Sequence, residues 1–358
     1  MNPLRIHATN LGGMGARRVV EGLLPALLDF SDGPVEVFLT KGDPLAEIAI
    51  SRGKSVTSIN RTLPHAASRL FEVTLGADQY RGDGDLLVLG DLPLSGVSNQ
   101  TVLVHNPFLI DGATHQTLRD QVKSHVSRSV FAINQKFVGR FIVQTQTMAD
   151  GLAETYGIRR DRIDIIGQPP PEAIRGFQPK APKTTSFLAN TRLRLFYPSR
   201  QYPHKRHDRL TATLLDDLST VVDKIVLTVD EADLPQAAHP KLQCIGEVQM
   251  DRVVKEYSTA HALLFLSDFE SYGLPLLEAL WLDLPVVCPD LPYARDILGE
   301  NDFFFTAGDP ASLARAVHKL HQALSQGWRA DWRERRDHFP PNWREVALRF
   351  LSTVRQRS

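Results

Sequence analysis

The chain of 358 residues is 42% apolar and 23% charged, and its 41 basic side chains balance its 41 acidic ones. This length exceeds a typical domain of about 100 to 200 residues, and the composition excludes extended disorder, so two folded domains are expected. Balanced charge gives no whole-molecule attraction for nucleic acid, and two cysteines are too few for a disulfide framework, with Cys288 in an apolar run that predicts burial. Because neither a signal-peptide pattern nor an apolar run of about 18 residues occurs, we expect a cytoplasmic protein.

Short aliphatic and β-branched runs alternate with longer helical patterns in two successive series. The first series comprises residues 4–9, 35–40, 86–89, 101–104, 141–145 and 163–166, and the second comprises residues 193–197, 224–229, 242–245, 262–266, 285–288 and 303–306. Such alternation predicts parallel sheets built from βα units. The predicted fold class is therefore α/β, with two Rossmann-like domains.

A proline-rich stretch separates the two series. Residues 168–188 hold five prolines, whose missing N–H groups and fixed φ exclude regular structure. After a break at Phe339, Pro340 and Pro341, apolar residues on one face of 343–355 predict a last helix. The expected organisation is an N-terminal domain at 1–170, a linker at 171–190, a C-terminal domain at 191–338, and a helical segment at 339–358 that crosses back to the first domain.

Loops that follow strands are the places to search for binding residues. Ligands of doubly wound sheets lie outside the carboxyl ends of the strands, so two facing domains predict a cleft between two sets of such loops. After the first strand, Gly12 and Gly13 allow a close backbone approach to a ligand, although any Rossmann domain needs a similar loop and the spacing departs from GxGxxG. His105 ends the run 101–104, where it either faces the cleft or bonds to a turn.

The most informative segment is residues 268–278, which follows a strand of the second series. Gly273 permits close backbone approach, Pro275 suits a first helical position, and the N–H groups at the helix start can bind a phosphate group. Glu270 precedes this start and Glu278 lies about one turn inside the helix, so both carboxylates can accept hydrogen bonds from sugar hydroxyls. Simple charge stabilisation of a helix N-terminus is the alternative interpretation.

Two cations follow the first strand of the second series. Arg200 and Lys205 lie in the same loop, near one strand end. A leaving diphosphate gains about two negative charges, and these side chains can stabilise that developing charge without a metal ion. For a basic pair alone, solvated surface is the alternative.

Together these residues resemble the retaining family-four glycosyltransferases of the GT-B superfamily, over roughly residues 193–320. Glu270 and Glu278 match the family's two acidic positions, the residues between them resemble its aromatic-Gly-Leu-Pro core, and Arg200 and Lys205 match its basic pair. The resemblance implies that Glu270 contacts donor-sugar hydroxyls, that Glu278 holds the ribose, and that the two cations clamp the diphosphate.

The resemblance also extends to residues whose own signal is weaker. It implies that the backbone N–H groups of Ser271, Tyr272, Gly273 and Leu274 contact the diphosphate, that Gly12 and Gly13 approach the donor, and that His105 lies beside the donor sugar. Val248 ends a strand and is expected to line the pocket for the nucleotide base. Backbone contacts in that pocket would leave no sequence motif that identifies the base.

A GT-B fold with an interdomain cleft is implied, and with it a metal-independent, retaining transfer that needs no cofactor. The donor would be a nucleotide-diphosphate sugar, UDP- or GDP-linked, held by the second domain, and the first domain would bind a carbohydrate or lipid-linked acceptor. Cell-surface glycan or glycolipid synthesis is the expected process. A nucleotide-sugar epimerase or sugar phosphorylase on a similar fold, and a non-catalytic sugar-nucleotide-binding or scaffold protein, remain as alternatives.

An acidic triplet, Asp83-Gly84-Asp85, mimics the metal-binding motif of the other major glycosyltransferase architecture. It precedes the strand at 86–89, which is the wrong end of the sheet for the cleft, and Gly82 and Gly84 are typical of a turn. No metal site is therefore expected here.

Residues 119–140 form an amphipathic helical pattern. Its basic face comprises Arg119, Lys123, Arg128, Lys136 and Arg140, and its apolar stripe comprises Val122, Val126, Val130, Ile133 and Phe137. The stripe is predicted to be core. The basic face is either a solvated helix face or a contact with an anionic membrane, as the lipid-linked acceptors of the resembled family would favour, which would place the protein at the inner face of the cell membrane.

Overall fold

A computed structural model describes residues 3–11, 13–61, 65–110, 118–177 and 190–356. The chain divides into two compact units. Unit 1 comprises Met1–Pro169 and Pro340–Ser358, and unit 2 comprises Pro170–Phe339.

Each unit contains its own set of strands and helices. The strands are β1 (Leu4–His7), β2 (Val35–Thr40), β3 (Ser55–Ile59), β4 (Asp85–Val88), β5 (Gln100–Leu103), β6 (Val138–Val143) and β7 (Ile163–Ile165) in unit 1, and β8 (Leu193–Tyr197), β9 (Val222–Leu227), β10 (Leu242–Cys244), β11 (Ala262–Leu264), β12 (Val286–Pro289) and β13 (Phe304–Phe305) in unit 2. The helices are α1 (Gly13–Phe30), α2 (Leu45–Ser51), α3 (His65–Val73), α4 (Leu118–Asn134), α5 (Gln146–Tyr156), α6 (Glu172–Arg175), α7 (Ala212–Asp217), α8 (Met250–Thr259), α9 (Leu274–Trp281), α10 (Pro292–Leu298), α11 (Pro310–Ser325), α12 (Arg333–Arg336) and α13 (Trp343–Arg355).

Both sheets are parallel and doubly wound. The strand order is β3-β2-β1-β4-β5-β6-β7 in unit 1 and β10-β9-β8-β11-β12-β13 in unit 2. The predicted α/β class with two Rossmann-like domains is thus confirmed. The order in which the strands follow one another reverses between β1 and β4 in unit 1 and between β8 and β11 in unit 2. Ligands of such sheets bind outside the carboxyl ends of the strands at this switch point.

The sheet of unit 1 buries both of its faces. One face is covered by α1 and α13, with Leu23 and Phe350 in the same apolar cluster, and the other by α4 and α5, with Phe131 and Leu152. Near-continuous apolar strands are expected where helices cover both faces of a parallel sheet. The last helix of the chain therefore belongs to the core of unit 1, although the residues before it belong to unit 2.

The sheet of unit 2 lies within one apolar core that includes Phe196, Tyr197 and Phe265. Cys288 is fully buried there, as its apolar run predicts. One expectation for the linker is wrong, because α6 forms a helical turn and its Ile174 packs into this core. The cluster of prolines permits this turn because proline at a helix start lacks only an N–H that has no helical partner.

The prediction that the apolar stripe of α4 is core is also wrong for most of its length. Val122, Val126 and Ile133 are 65%, 41% and 63% exposed, whereas Val130 packs partly against the core. Phe131, which lies in the same helix but outside the predicted stripe, is fully buried. No helix within the described ranges has both the length and the apolar character needed to span a membrane.

Candidate functional site

Lys205 and Glu270 meet at the switch point of unit 2. Lys205 follows β8, Glu270 follows β11, and these strands are neighbours in the sheet. The Lys205 ammonium forms an ion pair with the Glu270 carboxylate, and both side chains are mostly buried. The sequence placed both residues in strand-end loops, and the structure adds that they contact each other.

Hydrogen bonds hold the two loops together around this pair. Lys205 ends a short 3-10 turn, and the Tyr197 hydroxyl donates to its carbonyl oxygen at 2.7 Å. The carbonyl oxygen of His204 accepts from the Asp268 N–H at 2.9 Å and from the Ser267 hydroxyl at 3.2 Å. The loop that carries Lys205 is therefore hydrogen-bonded to the loop that carries Glu270.

Asp268 is a further residue of the site whose contacts the sequence interpretation missed. Its carboxylate binds the guanidinium groups of Arg206 and Arg209, both of which follow Lys205 in the chain. Arg209 also donates to the Leu266 carbonyl oxygen at 2.7 Å. The sequence shows Asp268 two residues before Glu270, and Arg206 and Arg209 after Lys205. Only the fold shows that these acidic and basic side chains pair.

Arg206 has a φ of 54°, in the left-handed region that favours glycine. We expect Arg206→Ala to be less stable than Arg206→Gly by about 1 kcal/mol, because both lose the Asp268 contact and only alanine has a Cβ that is strained at this φ. Urea denaturation, followed by the fluorescence of Trp281, Trp328 and Trp332 in unit 2, measures the difference. Equal midpoints for the two variants would show that the backbone conformation is unstrained.

His207 is a buried histidine two residues after Lys205. Its ring stacks on Tyr197 at 5.1 Å between centroids, and its Nε2 lies 2.9 Å from the Ser199 hydroxyl oxygen. Burial, helped by the nearby Lys205 charge, lowers the pKa of His207 from 6.5 to about 4. Burial likewise lowers the pKa of His204 to about 4. Both rings are consequently neutral at pH 7.

These lowered pKa values predict how stability changes with pH. The unfolded chain takes up protons on these histidines below about pH 6.5, whereas the folded protein does so only near pH 4, so the free energy of unfolding should fall as the pH drops from 6.5 to 4. His207→Asn should make this fall shallower, because it removes one titrating group, and the exposed His338 provides the control substitution. Urea midpoints at pH 7 and pH 5 measure the effect, and an unchanged slope in His207→Asn would contradict it.

The start of α9 has the backbone form that the sequence suggested. Gly273 precedes the helix with a φ of 72°, Pro275 lies in the first turn, and the N-cap residue Gly273 makes no side-chain hydrogen bond to this end. Tyr272 is buried against the core. Glu278 is only 3% exposed, and its carboxylate accepts a hydrogen bond from Tyr257 at 2.7 Å.

Arg200 differs from Lys205 in its surroundings. Its guanidinium is exposed and forms an ion pair with the exposed Glu247. Gly246, beside that glutamate, has a φ of 68°, and Val248 packs partly against the core. The structure thus brings Arg200 close to the segment that the sequence linked to the base pocket, and leaves the Arg200 side chain solvent-accessible.

At the switch point of unit 1, α1 begins at Gly13, whereas Gly12 lies outside the described residues. Asn10 follows β1, and its side-chain oxygen accepts a hydrogen bond from Arg61 at 2.7 Å. The Asn10 Nδ2 atom is buried without a hydrogen-bond partner among the residues that the structure describes. Arg61 also binds Glu72, a buried carboxylate whose pKa is lowered to about 2 because hydrogen bonds, His7 first among them, outweigh the effect of burial.

His105 follows β5 and is 8% exposed. The alternative that His105 bonds to a turn describes its backbone and not its ring, since neither ring nitrogen has a hydrogen-bond partner within the described part of the chain. The backbone N–H is the group that bonds, donating to Asp91 at 2.8 Å. At the opposite end of the sheet, the turn at Asp83 and Gly84 precedes β4, and Gly84 has a φ of 104°.

Comparison with known proteins finds a family model that matches part of unit 2. Residues 193–323 match the family model described as "Glycosyl transferases group 1". The O-antigen chain mannosyltransferase RfbU of Salmonella typhimurium is 22% identical over 232 residues, which cover 63% of this chain and 61% of RfbU. The chain spans less than two thirds of the length of the mannosyltransferases that it matches, between 9% and 61%.

Solved structures share the fold over almost the whole chain. WaaG, a glycosyltransferase involved in lipopolysaccharide biosynthesis, superposes with a TM-score of 0.68 at 13% identity, covering 98% of this chain and 99% of WaaG. Anabaena Alr3699/HepE in complex with UDP and glucose gives a TM-score of 0.64 at 13% identity, covering 99% of each chain. The chain thus shares the fold of these glycosyltransferases, as predicted, and its residues 193–323 match the group 1 glycosyl transferase model.

Proposed function

We propose that this protein, whose residues 193–323 form a group 1 glycosyl transferase domain, is a retaining glycosyltransferase that uses a nucleotide-diphosphate sugar. One observation carries the proposal: Lys205 pairs with Glu270 in the loop that leads into α9, whose N-cap residue is Gly273. A cation and a helix N-terminus suit a diphosphate, and a neighbouring carboxylate suits sugar hydroxyls. Glu278, Arg200 and the backbone of Ser271, Tyr272, Gly273 and Leu274 complete the proposed donor site.

In the proposed reaction the residues of unit 2 act by charge and position. The bond from the anomeric carbon to the diphosphate oxygen breaks, and Lys205, Arg200 and the start of α9 stabilise the negative charge that develops on that oxygen. Glu270 orients the sugar through its hydroxyls. The acceptor oxygen bonds to the anomeric carbon on the face that the diphosphate leaves, and its proton passes to a diphosphate oxygen, so that configuration is retained without an enzymic nucleophile.

A screen of nucleotide-sugar donors tests this function directly. HepE is described with UDP, and the relatives in sequence are mannosyltransferases, so UDP-glucose and GDP-mannose are the first donors to compare. We expect one nucleotide to raise the melting temperature and its sugar to be transferred, with release of the nucleoside diphosphate, when lipid-linked or soluble glycans are added. Retained anomeric configuration is read from the product by NMR. An inverted product would refute the retaining step, and no stabilisation by any nucleotide would refute the donor site.

The same incubations separate the alternative enzymes. A donor sugar that isomerises without an acceptor would indicate an epimerase, and phosphate-dependent formation of sugar 1-phosphate would indicate a phosphorylase. Nucleotide-sugar binding without release of nucleotide, against every acceptor extract, would indicate a non-catalytic binding protein. Acceptor-dependent release alone supports transfer.

We further propose that unit 1 binds the acceptor and contacts an anionic membrane surface through α4, in line with synthesis of a cell-surface glycan. Exposed Val122, Val126 and Ile133 lie on a helix that also carries Lys123 and Arg128. Exposed apolar side chains among basic ones favour insertion at the interface of an anionic bilayer.

Liposome flotation tests this contact. Binding to vesicles with about 30% phosphatidylglycerol, weaker binding to pure phosphatidylcholine and loss of binding in Val122→Asp are expected. Ile165→Asp, at a residue that is exposed on β7, is the control. Absence of flotation with both vesicle types would refute the membrane contact and leave the transferase proposal intact.

A further inference from the structure

Asp91 has an uncommon backbone conformation at the switch point of unit 1. Its φ is 66°, in the left-handed region that few residues other than glycine adopt. The Leu92 N–H donates to the Gly90 carbonyl oxygen at 2.8 Å, so Asp91 is the central residue of a three-residue turn. A turn of this kind with positive φ is rare and strained, and such residues concentrate at functional sites, where the surrounding structure holds them in place.

Neighbouring strand ends hold this turn in place. A Cβ on Gly90 would lie 2.7 Å from the Asn10 Cβ, so the turn packs directly against the residue that follows β1. On its other side, the Asp91 Oδ1 atom accepts the backbone N–H of His105 at 2.8 Å and that of Asn106 at 2.9 Å. One carboxylate oxygen therefore fixes the backbone that follows β5.

The same oxygen also lies near the imidazole of His105. The distance from Oδ1 to Nδ1 is 3.5 Å, and both side chains are more than nine-tenths buried. Buried polar groups are nearly always hydrogen-bonded, yet both nitrogens of this ring lack a hydrogen-bond partner among the described residues. Contacts at functional sites are often long without substrate and shorten when it binds.

We infer that Asp91 is a positioning residue for His105. Its carboxylate places the backbone of residues 105 and 106 and favours the tautomer with a proton on Nδ1, which leaves Nε2 as an acceptor for a hydroxyl group of the sugar substrate. The identity of that ligand rests on the proposed function, whereas the contact of Asp91 with His105 does not. No role of Asp91 follows from its sequence neighbourhood, because only the fold brings it to His105.

Asp91→Asn is the informative variant. Asparagine tolerates a positive φ and keeps an oxygen for the two N–H groups, but it lacks the negative charge. We expect kcat to fall about 10- to 100-fold, as when a group that orients a functional imidazole is removed, with the KM for the donor changed by less than about threefold. Asn99→Gly is the matched control, since Asn99 also has a positive φ but precedes β5 at the other end of the sheet.

The ¹⁵N chemical shifts of His105 in histidine-labelled protein provide a readout that does not require turnover, with His105→Gln identifying the signals. We expect the Nδ1–H tautomer in the wild-type protein and a mixture in Asp91→Asn. A wild-type Nε2–H tautomer, or no change in a folded variant, would overturn the inference. Detection of the expected tautomers in a protein that transfers no sugar would refute the proposed function and leave the Asp91 assignment standing.

Discussion

Lys205→Ala is expected to lower kcat for sugar transfer about 100- to 1,000-fold, with less than about a tenfold rise in the donor KM. The ammonium pairs with Glu270 in the loop that leads into α9, where the diphosphate is proposed to bind, and its attraction for the leaving group grows as that group gains charge. Removal of one preorganised group that stabilises developing negative charge typically slows a reaction by about this factor, or about 3 to 4 kcal/mol. Steady-state kinetics with saturating acceptor measures the effect.

Controls separate the loss of a specific cation from a general effect of charge. Lys319→Ala removes an exposed lysine on α11 that pairs with Asp302, and it should leave kcat within about twofold, because exposed ion pairs contribute little. Lys205→Arg keeps the charge but not the shape of the group and should retain part of the activity. A Lys205→Ala enzyme with kcat within about threefold of the wild type would show that Lys205 does not act on the leaving group.

Glu270→Ala should also reduce transfer strongly, and its combination with Lys205→Ala should lose less than the product of the two single effects. The two side chains pair with each other, so each single change leaves the other residue without its partner. The double-mutant cycle measures this coupling. Strictly multiplicative losses would mean that the ion pair has no functional consequence.

Gly22→Ala is expected to destabilise unit 1 by about 1 to 3 kcal/mol, the usual range for overpacking. A Cβ at Gly22 would lie closer than 3.0 Å to three atoms of the Trp343 indole, where α1 packs against α13. Relief requires movement of a rigid ring or of one helix, because packed interiors leave little free space. Hydrogen exchange of peptides that cover Trp343–Arg355 measures the stability of this contact.

Gly15→Ala is the matched control on the same helix. A Cβ there meets no atom within 4 Å, so the change should stabilise α1 by up to about 1 kcal/mol through the lower backbone entropy of alanine in the unfolded chain. Trp343→Phe in the Gly22→Ala background should recover part of the lost protection. Equal exchange rates in Gly22→Ala and Gly15→Ala would show that the α1–α13 contact tolerates expansion.

The local pattern of the chain was sufficient to predict which loops carry the proposed donor site. Strand-end position, a glycine before a helix start and the spacing of two glutamates are all properties of neighbouring residues, so Gly273 and Glu270 could be found without a fold. The same reasoning failed for α4, because periodicity shows that a helix has an apolar stripe but not whether another element covers it. Val122 and Ile133 lie on that stripe and are exposed in the structure.

The sequence by itself determined the fold class, since alternating apolar runs and helical patterns leave parallel α/β units as the arrangement that buries them. It also determined the residue types of the candidate site, including Lys205 and Glu270. Only the tertiary structure decided which side chains meet: Lys205 with Glu270, and Asp91 with His105. Such pairs join residues far apart in the chain, and their contact depends on strand order and on turns such as the one at Asp91, which no local pattern specifies.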